Sequence, residues 1–407
     1  MKSLRFRPYG LSVCVAVVMA AGCGGGSGTP PTPAVAGKTA ERAHPDATYG
    51  VLYSFAGSSK GDGETPEATL LEVEGKLYGT TILGGTNGDG TVFSVTPSGT
   101  ETVLHSFGGS GDGAYPESGF LRVNGTLYGT TMEGGTSGYG TVFSITPSGK
   151  ERVLHSFGRS KDGSYPVAGL INVNGTLYGT TANGGANDDG IVFSITPSGT
   201  ENVLYSFKGG SADGEDPHAG LVNVSGTLYG TTYEGGARNE GTVFAITPSG
   251  KEKKLHSFLG NSDGAFPVTG LVYVKGMLYG TTTVGGVYCS PSRYCGTVFA
   301  ISPAGKEAVL HSFGHSGDGE VPFAGLINVS GTLYGTTEFG GVNCTQFGCG
   351  TVFSITPSGK ENVLLSFGGT DEGGYPEAGL LNANDTYYGT TSGGGANNFG
   401  TVFSLKL

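Results

Sequence analysis

The chain has 407 residues, and its 33 acidic side chains outnumber its 22 basic ones, which gives a formal net charge of −11. The lysines and arginines are dispersed along the sequence, so nucleic acid and anionic polymers are poor partners on electrostatic grounds. The 79 glycines and 19 prolines would indicate disorder if they were scattered, but they recur at fixed positions of a repeat and therefore predict turns.

Residues 1–22 are predicted to be an export signal. Lys2, Arg5 and Arg7 precede an apolar run from Leu11 to Ala21 that is too short to span a bilayer. Small residues lead into Cys23, and this pattern resembles the lipobox of bacterial lipoproteins, which implies cleavage before Cys23 and a diacylglycerol on its thiol. Ordinary secretory cleavage is the alternative, and either route takes the chain out of the cytoplasm.

Residues 23–48 are predicted to be a lipidated, flexible tether. The segment is rich in Gly, Ser, Thr, Pro and Ala, a composition that cannot bury enough apolar surface to offset the entropy of ordering it. No second apolar segment of membrane-spanning length follows, so the lipid is the one membrane attachment predicted. We expect the protein to be anchored in the bacterial cell envelope, at the outer membrane or the cell surface.

The rest of the chain, residues 49–407, is built from seven copies of one unit of about 50 residues. The sequence Leu-Tyr-Gly-Thr-Thr begins at Leu77, Leu127, Leu177, Leu228, Leu278 and Leu333, with a variant seventh copy at Tyr387. A period of this length is typical of β-propeller blades.

Each unit contains four short segments with strand character. In the third copy they are Gly169 to Val173, Leu177 to Thr181, Ile191 to Thr196 and Asn202 to Phe207, and Gly-rich turn signals separate them. Four strands joined by tight turns predict one antiparallel blade. The fold class predicted is therefore all-β, a seven-bladed propeller.

The phase of the repeats predicts how the ring closes. The segment Val-Leu-x-Ser-Phe first occurs at Val51 to Phe55, ahead of the first complete unit, while the chain stops after Thr401 to Leu407, one strand short of a complete last unit. Docking Val51 to Phe55 onto the last blade supplies its fourth strand. An open solenoid would instead need capping repeats at both ends, and the sequence shows none.

The series Leu-Tyr-Gly-Thr-Thr, Gly-Gly and Gly-Thr-Val-Phe-Ser-Ile-Thr-Pro-Ser-Gly, as in Leu127 to Gly149, resembles the GloVer repeat of the choice-of-anchor tandem repeat proteins. The likeness covers residues 51–407. It implies a bacterial envelope protein attached by an anchor, and it implies no particular activity.

Four cysteines remain beyond the signal and Cys23. Cys289 with Cys295, and Cys344 with Cys349, each lie within one short insertion, so in an exported protein they predict two local disulfides. A metal site built from all four is the alternative, but the spacings are not those of zinc knuckles and no His adjoins them.

Two loops of each unit are predicted to share one face of the propeller, if the segment around Gly169 to Val173 is innermost. The loop before that strand carries an Asp-Gly pair at Asp62, Asp112, Asp162, Asp213, Asp263 and Asp318, and the seventh copy reads Asp371-Glu372-Gly373. A ring of such aspartates offers oxygen ligands for Ca²⁺. Each copy brings only one Asp, however, and Asp-Gly forms turns by itself, so we predict no metal and no cofactor.

The second loop varies most between copies and is the predicted ligand-binding surface. Its aromatic residues are Tyr139, Tyr233, Tyr288, Tyr294, Phe339, Phe347 and Phe399. Such rings stack on sugars or contact a protein partner; alternatively they fold back over the blade edges.

One repeat position holds His105, His155, His256 and His311 but elsewhere holds Tyr53, Tyr205 or Leu365. A position that accepts Leu is interpreted as a packing position, which argues against metal ligation or base catalysis there.

The favoured function is a non-enzymatic module that binds a glycan, or an envelope or partner protein, through the loop face. The alternatives are a polysaccharide hydrolase or lyase with two carboxylates near the central channel, and a structural spacer of the envelope. Candidate carboxylates for the enzyme are Glu133, Glu234, Glu240, Glu338, Asp188 and Asp189, because they differ between copies.

Overall fold

The computed structural model describes residues 41–42, 47–289, 294–343 and 348–407. The predicted signal peptide and Cys23 therefore lie outside the described residues, as do Cys344 and Phe347. The described chain is strands and turns, with two short 3-10 turns at Ser58–Lys60 and Asn261–Asp263. Among these residues, no helix has the length and apolar character needed to cross a membrane.

Seven four-stranded antiparallel sheets form the seven blades of a β-propeller, as predicted. Blades 1 to 3, with strands in order from the inside, are Leu71–Val73, Lys76–Thr81, Thr91–Val95 and Glu101–Ser106; Leu121–Val123, Thr126–Thr131, Thr141–Ile145 and Glu151–Ser156; Ile171–Val173, Thr176–Thr181, Ile191–Ile195 and Glu201–Ser206. Blades 4 to 6 are Val222–Val224, Thr227–Thr232, Thr242–Ile246 and Glu252–Ser257; Val272–Val274, Met277–Thr282, Thr297–Ile301 and Glu307–Ser312; Ile327–Val329, Thr332–Thr337, Thr351–Ile355 and Glu361–Ser366. Blade 7 is Leu381–Ala383, Thr386–Thr391, Thr401–Lys406 and Thr48–Ser54.

The first strands line the centre of the ring. Ile171–Val173 contacts Val222–Val224 of the next blade, and Leu381–Ala383 of blade 7 contacts Leu71–Val73 of blade 1. The innermost strand is therefore the one predicted, and the ring is closed.

The N-terminal strand closes the ring as predicted, over a slightly longer stretch. Thr48–Ser54 pairs antiparallel with Thr401–Lys406, from Thr48 opposite Lys406 to Ser54 opposite Thr401. Before it, within the predicted tether, Glu41–Arg42 pairs with the outer strand of blade 6. That pairing occupies backbone groups that an exposed sheet edge leaves open.

Pairs of phenylalanines join each blade to the next. The Phe that follows each outer strand packs edge-on against the Phe in the third strand of the next blade, with ring centroids 5.0–5.3 Å apart. The pairs are Phe55–Phe93, Phe107–Phe143, Phe157–Phe193, Phe207–Phe244, Phe258–Phe299, Phe313–Phe353 and Phe367–Phe403. Because neighbouring blades cover both faces of a blade, its strands carry apolar residues on both sides. This explains why apolar and polar residues alternate only weakly along the strands.

The glycine of each Leu-Tyr-Gly-Thr-Thr segment makes room for this packing. At Gly179 a Cβ atom would lie 2.7 Å from the ring of Phe193 and 2.8 Å from Leu170. Such distances are well inside van der Waals contact, so only glycine lets the two side chains lie against the backbone.

Candidate functional site

The two variable loops of each unit lie on one face, as predicted. In four units they are joined by short antiparallel strand pairs: Gly63–Glu64 with Leu83–Gly84, Gly113–Ala114 with Glu133–Gly134, Gly214–Glu215 with Glu234–Gly235, and Gly319–Glu320 with Phe339–Gly340. In the other three units single bridges join them: Ser164 with Asn183, Ala265 with Val284, and Gly374 with Gly393. This surface is called the loop face below. The tight Asn-Gly and Pro-Ser-Gly turns lie at the other ends of the same strands, so the sequence variation between copies is concentrated on the loop face.

One position on this face breaks the sevenfold repeat around the central opening. It is the residue after the loop proline, and the seven copies are Glu67, Glu117, Val167, His218, Val268, Phe323 and Glu377. Glu117 precedes blade 2, yet its carboxyl is affected by the charges of His218, before blade 4, and Glu377, before blade 7. Side chains from such distant blades interact only across the centre, so this ring of residues is the channel mouth.

Two buried carboxyl groups lie next to each other at the channel mouth. Glu338 is 4% exposed and Glu377 is 8% exposed. The Ser392 hydroxyl donates a 2.7 Å hydrogen bond to Glu377 Oε1. Burial, with the charge of Glu377 adding to it, raises the pKa of Glu338 well above its ordinary value. Glu338 therefore holds its proton to a higher pH than an ordinary glutamate does, next to the Glu377 carboxyl group.

Glu117 and His218 form the opposite, ionisable side of the channel mouth. Burial, helped by the charges of Glu377 and Glu133, raises the pKa of Glu117 to about 7, although His218 counteracts it. His218 Nε2 lies 3.0 Å from Asp216 Oδ1. Burial opposes a charge on His218, but the Asp216 and Glu117 carboxylates outweigh it and raise the His218 pKa. Glu117 therefore changes charge near neutral pH, and His218 keeps its proton to a higher pH than an ordinary histidine does.

Aromatic side chains adjoin this ionisable group. The Tyr233 ring centroid is 5.3 Å from that of His218 and 4.9 Å from that of Phe266. Burial, then the nearby Glu234 and Asp216 carboxylates and the Tyr294 phenol, raise the pKa of Tyr233 to about 12. Tyr294 itself is 56% exposed. The channel mouth thus combines carboxyl groups, an imidazole and accessible ring faces.

The insertion that carries Tyr294 is held by a disulfide. Cys289 and Cys295 are bonded, with their Cα atoms 5.6 Å apart, which confirms one predicted pair. Cys349 is also disulfide-bonded, while its predicted partner Cys344 lies outside the described residues. The bond between Cys289 and Cys295 restricts where Tyr288 and Tyr294 can move relative to the blade.

The other predicted aromatic ligands do not gather at the channel mouth. Tyr139 lies under the Arg159 guanidinium, 5.7 Å from ring centroid to Cζ. Tyr288, which is 56% exposed, faces His315 at 5.6 Å, and Phe399 packs onto the core cluster that contains Phe55. Phe399 therefore covers a blade edge, as the alternative interpretation proposed.

Phe339 packs against Tyr375, with ring centroids 5.7 Å apart, beside the buried Glu338. Phe347 lies outside the described residues. Of the seven predicted aromatic residues, the structure thus brings Tyr233 and Tyr294 together next to the channel mouth.

Some of the candidate enzyme carboxylates lie near the channel mouth, and the others lie elsewhere on the loops. Glu133 and Glu234 act electrostatically on Glu117 and on Tyr233, respectively, and so lie near the channel mouth with Glu338. Asp188 is 3.1 Å from the Arg159 guanidinium, and Asp189 and Glu240 lie beside loop glycines 209 and 260. Sequence reasoning missed Glu117, His218 and Glu377, although the variation after the loop proline was a visible signal.

A second polar cluster recurs where adjacent blades meet. The histidines interpreted as packing residues are partly buried, and each packs edge-on against the Phe two residues later, with ring centroids 4.7–4.9 Å apart. Each also lies 3.0–3.3 Å from the aspartate of the Asp-Gly pair. A glutamate at the start of the next blade's outer strand completes each cluster: His105–Asp112–Glu151, His155–Asp162–Glu201, His256–Asp263–Glu307 and His311–Asp318–Glu361. The packing interpretation therefore describes one side of each imidazole, and what it missed is the polar partner that only the folded loop supplies.

Three blade junctions depart from this pattern. Tyr53 donates a 2.8 Å hydrogen bond to Asp62, and Tyr205 donates one of 2.7 Å to Asp213. Between blades 6 and 7 the position holds the fully buried Leu365, and Tyr49 occupies the place of the glutamate. The candidate calcium ligands Asp112, Asp162, Asp213, Asp263 and Asp318 thus lie at separate junctions and do not converge on one ion.

A model of the Gloeobacter/Verrucomicrobia repeat matches residues 39–181, 152–347 and 292–407, which together span the propeller. The chain belongs to the Gloeobacter/Verrucomicrobia repeat family. The predicted resemblance to the GloVer repeat is thereby confirmed. No curated protein matches this member of the family.

Solved structures share the fold of this family member at low sequence identity. A streptogramin B lyase is 13% identical with a TM-score of 0.56, over 89% of this chain and 98% of the other. Virginiamycin B lyase from Staphylococcus aureus is 12% identical with a TM-score of 0.57, over 89% and 100%. A periplasmic gluconolactonase from Pseudomonas aeruginosa is 15% identical with a TM-score of 0.50, over 82% and 96%. At these identities the likeness is one of fold.

The tyrosine-bearing junctions predict how stability depends on pH. Burial, with the charges of Asp62 and Asp213 adding to it, raises the pKa of Glu101 and of Glu252 from 4.5 to about 7. A raised folded-state pKa stabilises the fold fully below about pH 4.5, and this stabilisation is lost as the pH rises through about 7. The melting temperature should therefore fall between about pH 5 and about pH 8. The melting temperature of the variant Glu101→Gln/Glu252→Gln should fall less over this range, because a glutamine amide does not ionise as the pH rises.

Thermal unfolding followed by circular dichroism across this pH range measures the effect. Glu74→Gln is the matched control, because the Glu74 side chain is 84% exposed and contributes no buried carboxyl group. Parallel pH profiles for the native chain and the double variant would contradict the prediction.

Proposed function

We propose that the propeller is a non-enzymatic binding module that takes a carbohydrate chain across the channel mouth on its loop face. In this proposal the protein acts outside the cytoplasm, held in the cell envelope by a lipid on Cys23. One observation carries the binding site: in a scaffold of near-identical blades, the accessible ring of Tyr294 and that of Tyr233 adjoin an asymmetric set of carboxyl groups.

The chemistry of the channel mouth suits a sugar. Aromatic faces cover the C–H surface of a pyranose ring, while carboxylate oxygens and an imidazole accept and donate hydrogen bonds to its hydroxyl groups. Glu117 and His218 supply such groups on one side, and Val167, Val268 and Phe323 supply apolar contacts elsewhere on the ring. A disulfide-held loop on a rigid sheet keeps the aromatic group in place, which lowers the entropic cost of binding.

The test is a binding screen of the full chain against plant, microbial and envelope polysaccharides. We expect saturable binding to at least one polymer, and we expect Tyr294→Ser to weaken it by about tenfold, the effect of losing one central aromatic contact. Tyr288→Ser is a matched control: Tyr288 is equally exposed, at 56%, and lies on the same insertion, but it faces His315. The proposal fails if no polysaccharide binds, or if both variants weaken binding equally.

A hydrolase or lyase is the second candidate, and the buried pair Glu338 and Glu377 favours it. A buried carboxyl group whose pKa is raised, next to a second carboxyl group, is suited to donate a proton to a leaving oxygen. New reducing or unsaturated ends released in the same screen would support this function. Loss of that release in Glu338→Gln, with binding retained, would assign the proton donor; binding without products favours the non-enzymatic module.

A further inference from the structure

The four blade junctions that carry histidine share a set of ligand types suited to a transition-metal ion. Each has one imidazole nitrogen and two carboxylate groups, contributed by two adjacent blades. We propose that these junctions are divalent-metal sites of the zinc class, and that the site between blades 5 and 6 is open to exogenous ligands. This proposal is independent of the carbohydrate site, which lies at the channel mouth.

The geometry at the junction of blades 5 and 6 fits such an ion. His311 Nε2 and Asp318 Oδ2 are hydrogen-bonded at 3.0 Å, and they need to separate only to about 3.4 Å to act as two ligands of a tetrahedral ion. One ligand atom from each of His311, Asp318 and Glu361 lies within 4.8 Å of the others. Three nitrogen and oxygen ligands with a fourth position left over is a recurrent zinc arrangement.

A hydrogen bond from the backbone also fixes the orientation of the aspartate. Asp318 Oδ1 accepts a 2.7 Å hydrogen bond from the Gly319 N–H, so its other oxygen, Oδ2, is directed at the imidazole. Asp112 makes the same contact with Gly113. Hydrogen bonds of this kind orient a ligand before the ion arrives and raise the affinity of metal sites.

An independent observation comes from the glutamate of each cluster. At the tyrosine-bearing junctions, Glu101 Oε1 and Glu252 Oε1 are buried without a hydrogen-bond partner, so the orphaned oxygen is a feature of this glutamate position and not of the histidine junctions alone. In the four histidine clusters, Glu361 Oε1 and the equivalent oxygens of Glu151, Glu201 and Glu307 are in the same state. A buried carboxyl oxygen without a partner costs about 1–3 kcal/mol. A cation bound between the three side chains would give each of these oxygens a partner.

The site between blades 5 and 6 adjoins an open space. A cavity of about 860 Å³ is lined by His311, Asp318 and Glu361 together with Tyr288 and His315. The metal's remaining position at this junction therefore opens towards a space large enough for water or a small anionic or imidazole-type ligand, next to the disulfide-held insertion.

The remaining junctions provide built-in comparisons. Tyr53 and Tyr205 replace the imidazole with a phenol, which is not a usual zinc ligand, and Leu365 offers no ligand atom. The proposal therefore predicts four bound ions per chain, not six or seven.

The test measures Zn²⁺ binding to the full chain after treatment with a chelator. Equilibrium dialysis should give four tightly bound ions per chain, and Co²⁺ substitution should give the visible absorption of a nitrogen- and oxygen-ligated ion. The variant His311→Tyr should bind three. The fourfold variant His105→Tyr/His155→Tyr/His256→Tyr/His311→Tyr should bind none, and it should fold because two junctions already contain Tyr with the same aspartate partner.

Two further variants keep the result interpretable. Glu361→Gln should lower the stoichiometry or affinity at one site, whereas Glu101→Gln, at a tyrosine-bearing junction, should leave four ions bound. The absence of saturable Zn²⁺ or Co²⁺ binding at micromolar concentration would overturn the proposal. An unchanged stoichiometry in the fourfold variant would also overturn it, because the ions would then be bound elsewhere, for example by His218. If the fourfold variant does not fold, equal stoichiometry together with equal affinity at every site in Glu361→Gln and Glu101→Gln decides against the proposal.

Discussion

Removing the closing strand is expected to abolish cooperative folding of the propeller. A chain that begins at residue 56 lacks Thr48–Ser54, which pairs with Thr401–Lys406 along its whole length, and it also lacks the fully buried Phe55. Loss of Phe55 and its neighbours Leu52 and Tyr53 from the junction of blades 7 and 1 removes stabilisation on the order of 5 kcal/mol. That is a large share of the 5–15 kcal/mol by which domains are usually stable.

The deletion has a second consequence, because it leaves the third strand of blade 7 as a sheet edge. Unpaired edge strands promote association between chains, so the truncated protein should elute as aggregates in size-exclusion chromatography and show no sharp thermal transition. A chain that begins at residue 47 is the control: it keeps the closing strand and loses only the short pairing of Glu41–Arg42. Equal melting temperatures for the two truncations would contradict closure by this strand.

The sequence was sufficient to predict the ring and its closure. The seven copies fix the number of blades, and the order of their segments leaves one spare strand at the start and one missing strand at the end. Both features are patterns along the sequence, so they can be recognised without the three-dimensional structure. The disulfide between Cys289 and Cys295 was predictable for the same reason, since both residues lie within one insertion.

The channel mouth was not predicted, because it depends on which loop residues point to the axis. Glu117, His218 and Glu377 lie far apart in sequence and meet only after the blades are arranged in a circle. Their signal was the one position after the loop proline that changes character between copies. Without the ring, such variation is indistinguishable from that of any solvent-exposed loop.

The polar contacts at the blade junctions could have been predicted from two repeat positions that change together in the sequence. Copies with His or Tyr at the junction position carry a regular Asp-Gly pair, whereas the copy with Leu365 has the altered sequence Asp371-Glu372-Gly373. Two positions that change together indicate contact. At the same junction Tyr49 stands opposite Leu405, where the other blades place a glutamate, and it packs against Phe367 and Phe403. The junction between blades 6 and 7 therefore replaces the histidine and the glutamate with Leu365 and Tyr49, and the Tyr49 hydroxyl donates a hydrogen bond to the Glu372 carbonyl.

The junction phenylalanines give the largest expected effect of a single substitution. Phe207 is fully buried and lies 5.1 Å from Phe244, centroid to centroid. Replacing such a side chain with Ala removes its burial and leaves a cavity, so Phe207→Ala should lower the free energy of unfolding by about 3–5 kcal/mol. Phe207→Leu keeps much of the apolar volume and should cost clearly less. Urea unfolding at constant pH measures both differences.

The same measurement shows whether the junctions act independently. Phe207 and Phe367 join different pairs of blades and share no packing partner in the core clusters, so the costs of Phe207→Ala and Phe367→Ala should add in the double variant. A cost well above the sum would mean that loosening one junction strains the closed ring elsewhere. Tyr273→Ala, at a side chain 40% exposed, is the control and should change stability by about 0.5 kcal/mol or less. If Phe207→Ala costs no more than this control, the phenylalanine pairs do not hold the blades together.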